Sequence, residues 1–137
     1  MIYLDSSAAV KLLHRELHST ELQAFLDAKP RSPLVSSALI EVELPRALRR
    51  WTPDAQPRID RFLQQLYRPD IDRGVRSLAA GFENPYLRSL DAIHVATALM
   101  LNRETDGELD HFVAYDNRLL AVAAALDLPT ASPGFQP

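Results

Sequence analysis

Four carboxylates stand where chemistry could be done. Asp5 follows an apolar run, Ile2-Tyr3-Leu4, and Asp116 follows another, Phe112 to Tyr115. Asp91 opens a strongly periodic segment, and Glu43 lies inside a third. Carboxylates gathered at one place repel each other unless protons or cations compensate them. Mg²⁺ does this well, taking oxygen ligands at about 2.0–2.1 Å while keeping several waters. A cation so held can activate water and polarise a phosphoryl oxygen, which is what phosphodiester hydrolysis requires. Each acid also has a plain explanation. Asp5 could cap a helix, Asp91 could answer a helix dipole, and Asp116 could serve a strand-to-helix turn. Glu43 could be one surface acid among several, and Glu41 is an equal candidate by periodicity alone.

The elements that would position these acids follow from pattern. Ile2–Leu4 reads as a strand, and Ser6 or Ser7 can cap a helix carrying Ala8, Ala9, Val10, Leu12 and Leu13. Ser19 or Thr20 can cap a second helix that stops at Pro30. Pro33 to Ser36 reads as a second strand, followed by a helix capped by Ser37 and kinked at Pro45. Thr52-Pro53-Asp54 starts a helix with Ile59, Phe62, Leu63 and Leu66 at helical spacing. Pro69–Asp72 is expected to be a short third strand, and Val75, Leu78 and Ala79 a helix ending near Gly81. Ser89 should cap the helix through Leu99. Phe112–Tyr115 reads as a strand, residues 118–126 as a helix, and Leu128–Ala131 as an edge strand. Short strands alternating with helices imply parallel strands joined by right-handed crossovers. In such sheets sites form outside the carboxyl ends of the strands, where Asp5 and Asp116 would lie.

The chain has 137 residues and no cysteine, which excludes thiol catalysis and Cys-ligated metals. That length suits one domain spanning residues 1–137. The formal net charge is −3, yet nine arginines and five acids lie between Arg46 and Arg88. This leaves the middle +4 and the flanks together −7. Such a stretch is either a set of solvated helix faces or a basic rim for phosphates. No basic n-region precedes an apolar run, and Ala92–Leu101 is too short and polar for a membrane span. A soluble, cytoplasmic protein with no membrane partner is expected.

The motifs resemble those of PIN-domain ribonucleases of the VapC toxin type. The resemblance rests on Ile2-Tyr-Leu-Asp5-Ser-Ser, Glu43-Leu-Pro-Arg-Ala47, Leu87-Arg-Ser-Leu-Asp91-Ala-Ile-His94, Val113-Ala-Tyr-Asp116-Asn117 and Ser132-Pro-Gly134. It implies an α/β protein, a PIN-like α/β/α domain whose short central parallel sheet is flanked by helices. It also implies an endoribonuclease dependent on Mg²⁺, with Mn²⁺ as substitute, whose acids correspond to Asp5, Glu43, Asp91 and Asp116. Ser6 would orient a water on the metal. Glu43 is preferred to Glu41 because the family acid precedes Leu-x-Arg-Ala. Where the family often has a further acid, Asn117 supplies no charge. The resemblance further implies an RNA substrate, a homodimer, and an antitoxin whose tail lies in an apolar groove. Leu12, Leu13, Leu22 and Phe25 could wall that groove or form ordinary core.

Other residues carry less. His94, three after Asp91, could face the same side, but a packing role is expected. His14 and His18, four apart, could bind a metal. The arginines from Arg46 to Arg50 could grip phosphates or face solvent, and Trp51 reads as core or interface. Two other classes compete. One is a non-catalytic PIN-like module acting with an antitoxin. The other is a phosphate-transferring enzyme of the haloacid-dehalogenase or receiver type, which the Ser at position 7 and the missing acidic pair oppose.

Overall fold

A computed structural model describes residues 1–136. Four short strands form one parallel sheet: β1 Ile2–Leu4, β2 Leu34–Val35, β3 His111–Val113 and β4 Thr130–Ala131, in the order β2-β1-β3-β4. β1 is central, with Ile2 opposite Leu34 on one side and His111 on the other. Seven helices surround the sheet: α1 Ser6–Leu13, α2 Ser19–Asp27, α3 Ile40–Leu48, α4 Gln56–Gln64, α5 Arg73–Ala80, α6 Ser89–Glu104 and α7 Asn117–Ala125. The architecture is α/β, as the alternation of elements predicts.

Alternation along β1 divides the core. Ile2 and Leu4 pack with Leu22, Ile40, Leu44, Leu48, Ile59 and Phe62, beneath α1 to α4. Tyr3 points the other way, among Val95, Leu99, Phe112, Leu119 and Ala123 of β3, α6 and α7. Burying a Leu or Ile side chain fully is worth about 1.5–3 kcal/mol, so the two layers hold the sheet from both faces. Leu22 is fully buried, and Leu12, Leu13 and Phe25 pack against the same layer. Leu22 is therefore core, whereas Leu12, Leu13 and Phe25 are half-buried, and Leu12 and Leu13 also line a groove beside α2.

Several local expectations shift. The third strand expected at Pro69–Asp72 is absent. The residue that bridges β2 is Tyr67, which pairs with Val35. Pro69 has no N–H to extend that pairing, and Asp72 instead turns to cap α5 by accepting from Val75 N at 2.9 Å. The α1 cap is Asp5 itself, not Ser6 or Ser7. His18, with φ 69°, precedes α2, and Arg88 rather than Ser89 precedes α6. Ser37 bonds Leu39 N, and α3 begins at Ile40 and continues through Pro45 to Leu48. At the far end, Ser132 Oγ donates to Ala114 O, and Tyr115 Oη donates to Pro133 O. Gly134 has φ +81°, and a Cβ there would lie 2.8 Å from Glu21. Among the described residues no helix is long and apolar enough to cross a membrane.

Candidate active site

The carboxyl edge of β1 and β3 collects the four acids. Asp5 directly follows β1, and its N–H donates to Val113 O of β3 at 3.0 Å. Its side chain is nearly inaccessible, at 5%. Asp5 Oδ2 accepts from Ser7 N at 3.1 Å and from Ser7 Oγ at 2.6 Å. Ser7 Oγ also accepts from Tyr115 N at 3.0 Å, which ties the end of β1 to the chain leaving β3. Asp116 caps α7: its Oδ1 accepts from Arg118 N and Leu119 N. β3 ends at Val113, so Asp116 stands beyond a short extended tail rather than directly at the strand end.

Glu43 lies in the first turn of α3 and Asp91 in the first turn of α6. Glu43 Oε1 is 2.5 Å from His94 Nε2, and Ser6 Oγ donates a long bond of 3.4 Å to Oε2. Glu41, the other candidate, is exposed and paired with Arg68. His94 is fully buried, and its Nε2 is 3.7 Å from Asp5 Oδ1. Its other nitrogen, Nδ1, is 2.8 Å from Tyr3 Oη. Burial works against protonation of His94, but the Glu43 hydrogen bond and the charges of Asp5, Glu43 and Asp91 outweigh it and raise its pKa. Tyr3 is held far above its ordinary pKa by burial and by Asp5, so it stays a neutral hydroxyl. The buried imidazole thus joins two acids from one side.

Arg88 joins the other two. Its Nε donates to Asp91 Oδ2 at 3.1 Å, and its Nη2 is 3.7 Å from Asp116 Oδ2. Burial raises the pKa of Asp91, Arg88 lowers it, and the neighbouring charges of Asp5 and Asp116 raise it again. The acids therefore fall into two pairs, Asp5 with Glu43 and Asp91 with Asp116, each held by one basic side chain. Sequence reasoning expects packing from His94 and counts Arg88 only as bulk charge. The spacing that links both to Asp91, three residues on either side, is the signal that could have found them.

The donor chemistry fits a hard divalent cation. Each acid commits one oxygen to a short protein bond and leaves the other uncommitted or weakly bonded: Asp5 Oδ1, Glu43 Oε2, Asp91 Oδ1 and Asp116 Oδ2. Among the described residues, however, no three His, Asp or Glu side chains are arranged to hold an ion as they stand. The donors are anchored, and Arg88 occupies the space that would draw two of them together.

The remaining candidates part company. His14 stacks on Trp51, whereas His18 stacks on Tyr115, so the two histidines do not share a metal position. Trp51 is 63% exposed and is not core.

Comparison with known proteins places the chain in a family. The PIN domain model matches residues 2–125. The chain is a PIN-domain protein. It is 46% identical to Ribonuclease VapC35 of Mycobacterium tuberculosis strain ATCC 25618 / H37Rv over 137 residues, 98% of each chain. It is 40% identical to Ribonuclease VapC46 of the same strain, covering 96% of this chain and 97% of the other. The crystal structure of Mycobacterium tuberculosis VapC20, described as a Sarcin-Ricin loop cleaving toxin, superposes with a TM-score of 0.69. That match covers 100% of both chains at 14% identity, which supports the PIN fold.

Proposed function

We propose that this PIN-domain protein is a divalent-cation-dependent endoribonuclease and the toxin of a toxin–antitoxin pair. The observation that carries the reading is the gathering of Asp5, Glu43, Asp91 and Asp116 at one edge of the sheet, with Asp5, Glu43 and Asp116 each anchored by one oxygen. Its relatives' names, which describe ribonucleases, support the substrate class. The non-catalytic alternative accounts for Asp5 as the α1 cap but gives no reason for all four acids to gather at one edge.

Asp5, Asp91 and Asp116 would hold the cation, with Glu43 completing the set. Bound Mg²⁺ or Mn²⁺ would supply an activated water and a Lewis acid for the scissile phosphate. The chain's own residues do the rest. Ser7 fixes the Asp5 carboxylate, and His94 fixes Glu43, so neither must reorganise when substrate arrives. Ser6 Oγ, near Glu43 Oε2, can orient a water there. Arg46, Arg88 and Arg118 flank the acids and offset their repulsion of RNA.

Asp5→Asn keeps the shape and much of the capping capacity but loses the charge. It is expected to abolish RNA cleavage with an unchanged circular dichroism spectrum. EDTA should stop the wild-type protein and Mg²⁺ or Mn²⁺ restore it. Wild-type turnover by Asp5→Asn would sink the assignment.

The antitoxin tail would seat beside Glu43, in the groove between α1 and α3 where Val10, Leu39, Val42 and Leu90 are lining residues. Val42 is 58% exposed and Leu90 49%, whereas Leu12, Leu13 and Phe25 are half-buried and Leu22 is buried. A homodimer of the free protein and a cytoplasmic location complete the proposal. Light scattering tests the former.

A further inference from the structure

A second groove opens on the opposite side of the acids, between the loop of residues 81–88 and α7. Its volume is about 640 Å³, within the range of small-molecule sites. Phe82, Leu87, Leu119, Val122 and Leu126 supply apolar walls, and Asp91 and Asp116 belong to the same lining. The groove and the candidate active site are therefore continuous. Arg88 and Arg118 also line it. Tyr86, another lining residue, is 80% exposed. Nothing in the mechanism uses these walls.

We propose that this groove seats a nucleobase of the RNA, that of a nucleotide flanking the scissile phosphate. The proposal rests on the nuclease reading and deepens it. A phosphodiester placed at Asp91 and Asp116 carries a nucleoside on either side, and one of them meets this groove. Apolar walls and an exposed tyrosine suit the faces of a base, and two guanidiniums suit the phosphates beside it. A peptide that brought a basic side chain to the acids by this route would instead meet Arg88 and Arg118. Among the loop's lining residues the non-basic polar groups are Glu83, the Tyr86 hydroxyl and Asn84, whose Oδ1 already accepts from Tyr86 N. The seat therefore holds a base chiefly by its faces and tolerates different bases, but not a missing one.

The test uses the whole protein and short oligoribonucleotides in EDTA, where they bind without being cut. Ala121 and Ala125 are exposed positions of α7 that line the groove, so Ala121→Trp and Ala125→Trp fill it without entering the core. Removing the flanking base from the oligonucleotide should weaken wild-type binding about tenfold, the scale of losing one stacked base. Either Trp variant should bind the intact oligonucleotide about tenfold more weakly and show no further loss with the abasic one. The methyl resonances of Leu119, Val122 and Leu126 should shift when wild type is saturated with RNA. Unmoved methyls, or Trp variants that bind both oligonucleotides like wild type, overturn the proposal. So does a Trp variant that loses a protein partner or a homodimer while keeping RNA. Cleavage of unmodified RNA is scored separately. Cleavage without methyl shifts removes the base seat alone, whereas methyl shifts without cleavage remove the nuclease reading and, with it, the placement of the base beside a scissile phosphate.

Discussion

Arg88 and His94 play opposite parts around the same acids. His94 is buried and fixed between Tyr3, Glu43 and Asp5. Arg88 is 74% exposed and can leave Asp91 and Asp116 at little cost. A divalent cation that draws those two carboxylates together must displace it. Arg88→Gln should therefore tighten Mn²⁺ binding several-fold, read by electron paramagnetic resonance titration, while weakening RNA binding. Looser Mn²⁺ binding in that variant would show that Arg88 does not compete with the ion. For His94 the folded state raises the pKa above the usual 6.5. The stabilisation from its charged form is complete below about pH 6.5 and is lost as pH rises through the raised folded value. His94→Gln should cost on the order of 3 kcal/mol at pH 6, as breaking a buried pair does. It should also flatten the fall in stability above neutrality. Urea unfolding from pH 6 to 9 measures both. Asp5 and Asp91 were legible in the sequence because a strand end and a helix start place them, whereas Asp116 lies beyond the end of β3 and Glu43 was separated from Glu41 only by the family motif. His94 was not legible, because a histidine among Ala92, Val95 and Ala96 looks like packing until its neighbours across the sheet are known.

At the level of elements, the decisive joint is Ser7. It belongs to α1, yet its hydroxyl bonds Asp5 after β1 and the amide of Tyr115 after β3. Ser7→Ala leaves that part-buried N–H without its acceptor, so a loss of about 1–3 kcal/mol is expected in urea unfolding. Cleavage should fall as well, because Asp5 loses its side-chain tether. A variant of wild-type stability and activity would show that the tether is dispensable. Strands and helices were legible from short apolar runs and 3.6-residue spacing. Their boundaries were less so, for a common reason: a side chain that could serve a cap was engaged elsewhere. Ser7 is tied to Tyr115, and Ser19 Oγ accepts from Glu16 N, so Asp5 and His18 occupy the cap positions. The expected strand at Pro69–Asp72 failed because Tyr67 makes the bridge to Val35, Pro69 has no N–H to extend it, and Asp72 caps α5.

Across the whole molecule, the net charge of −3 misleads as an average. Most of the central arginines are exposed, but of them only Arg46 and Arg88, with Arg118 from α7, line the grooves beside the acids. RNA binding should therefore be modest. With about three phosphates engaged, log K should fall against log salt with a slope of about −2 for a single strand. Fluorescence anisotropy of the Asp5→Asn variant between 50 and 300 mM salt (roughly the span over which such slopes are linear) gives that slope directly. A slope steeper than about −5 would mean that the wider arginine stretch also grips RNA. The strand order β2-β1-β3-β4 carries one more consequence. Asp5 is made well before Asp116, with β2 and six helices between them. β1 waits beside a single neighbour until residues 111–113 emerge, and β3 waits for residues 130–131. A nascent chain consequently carries its four acids in separate pieces, and Asp5 and Asp116 cannot meet at one edge until β3 has been made and paired with β1.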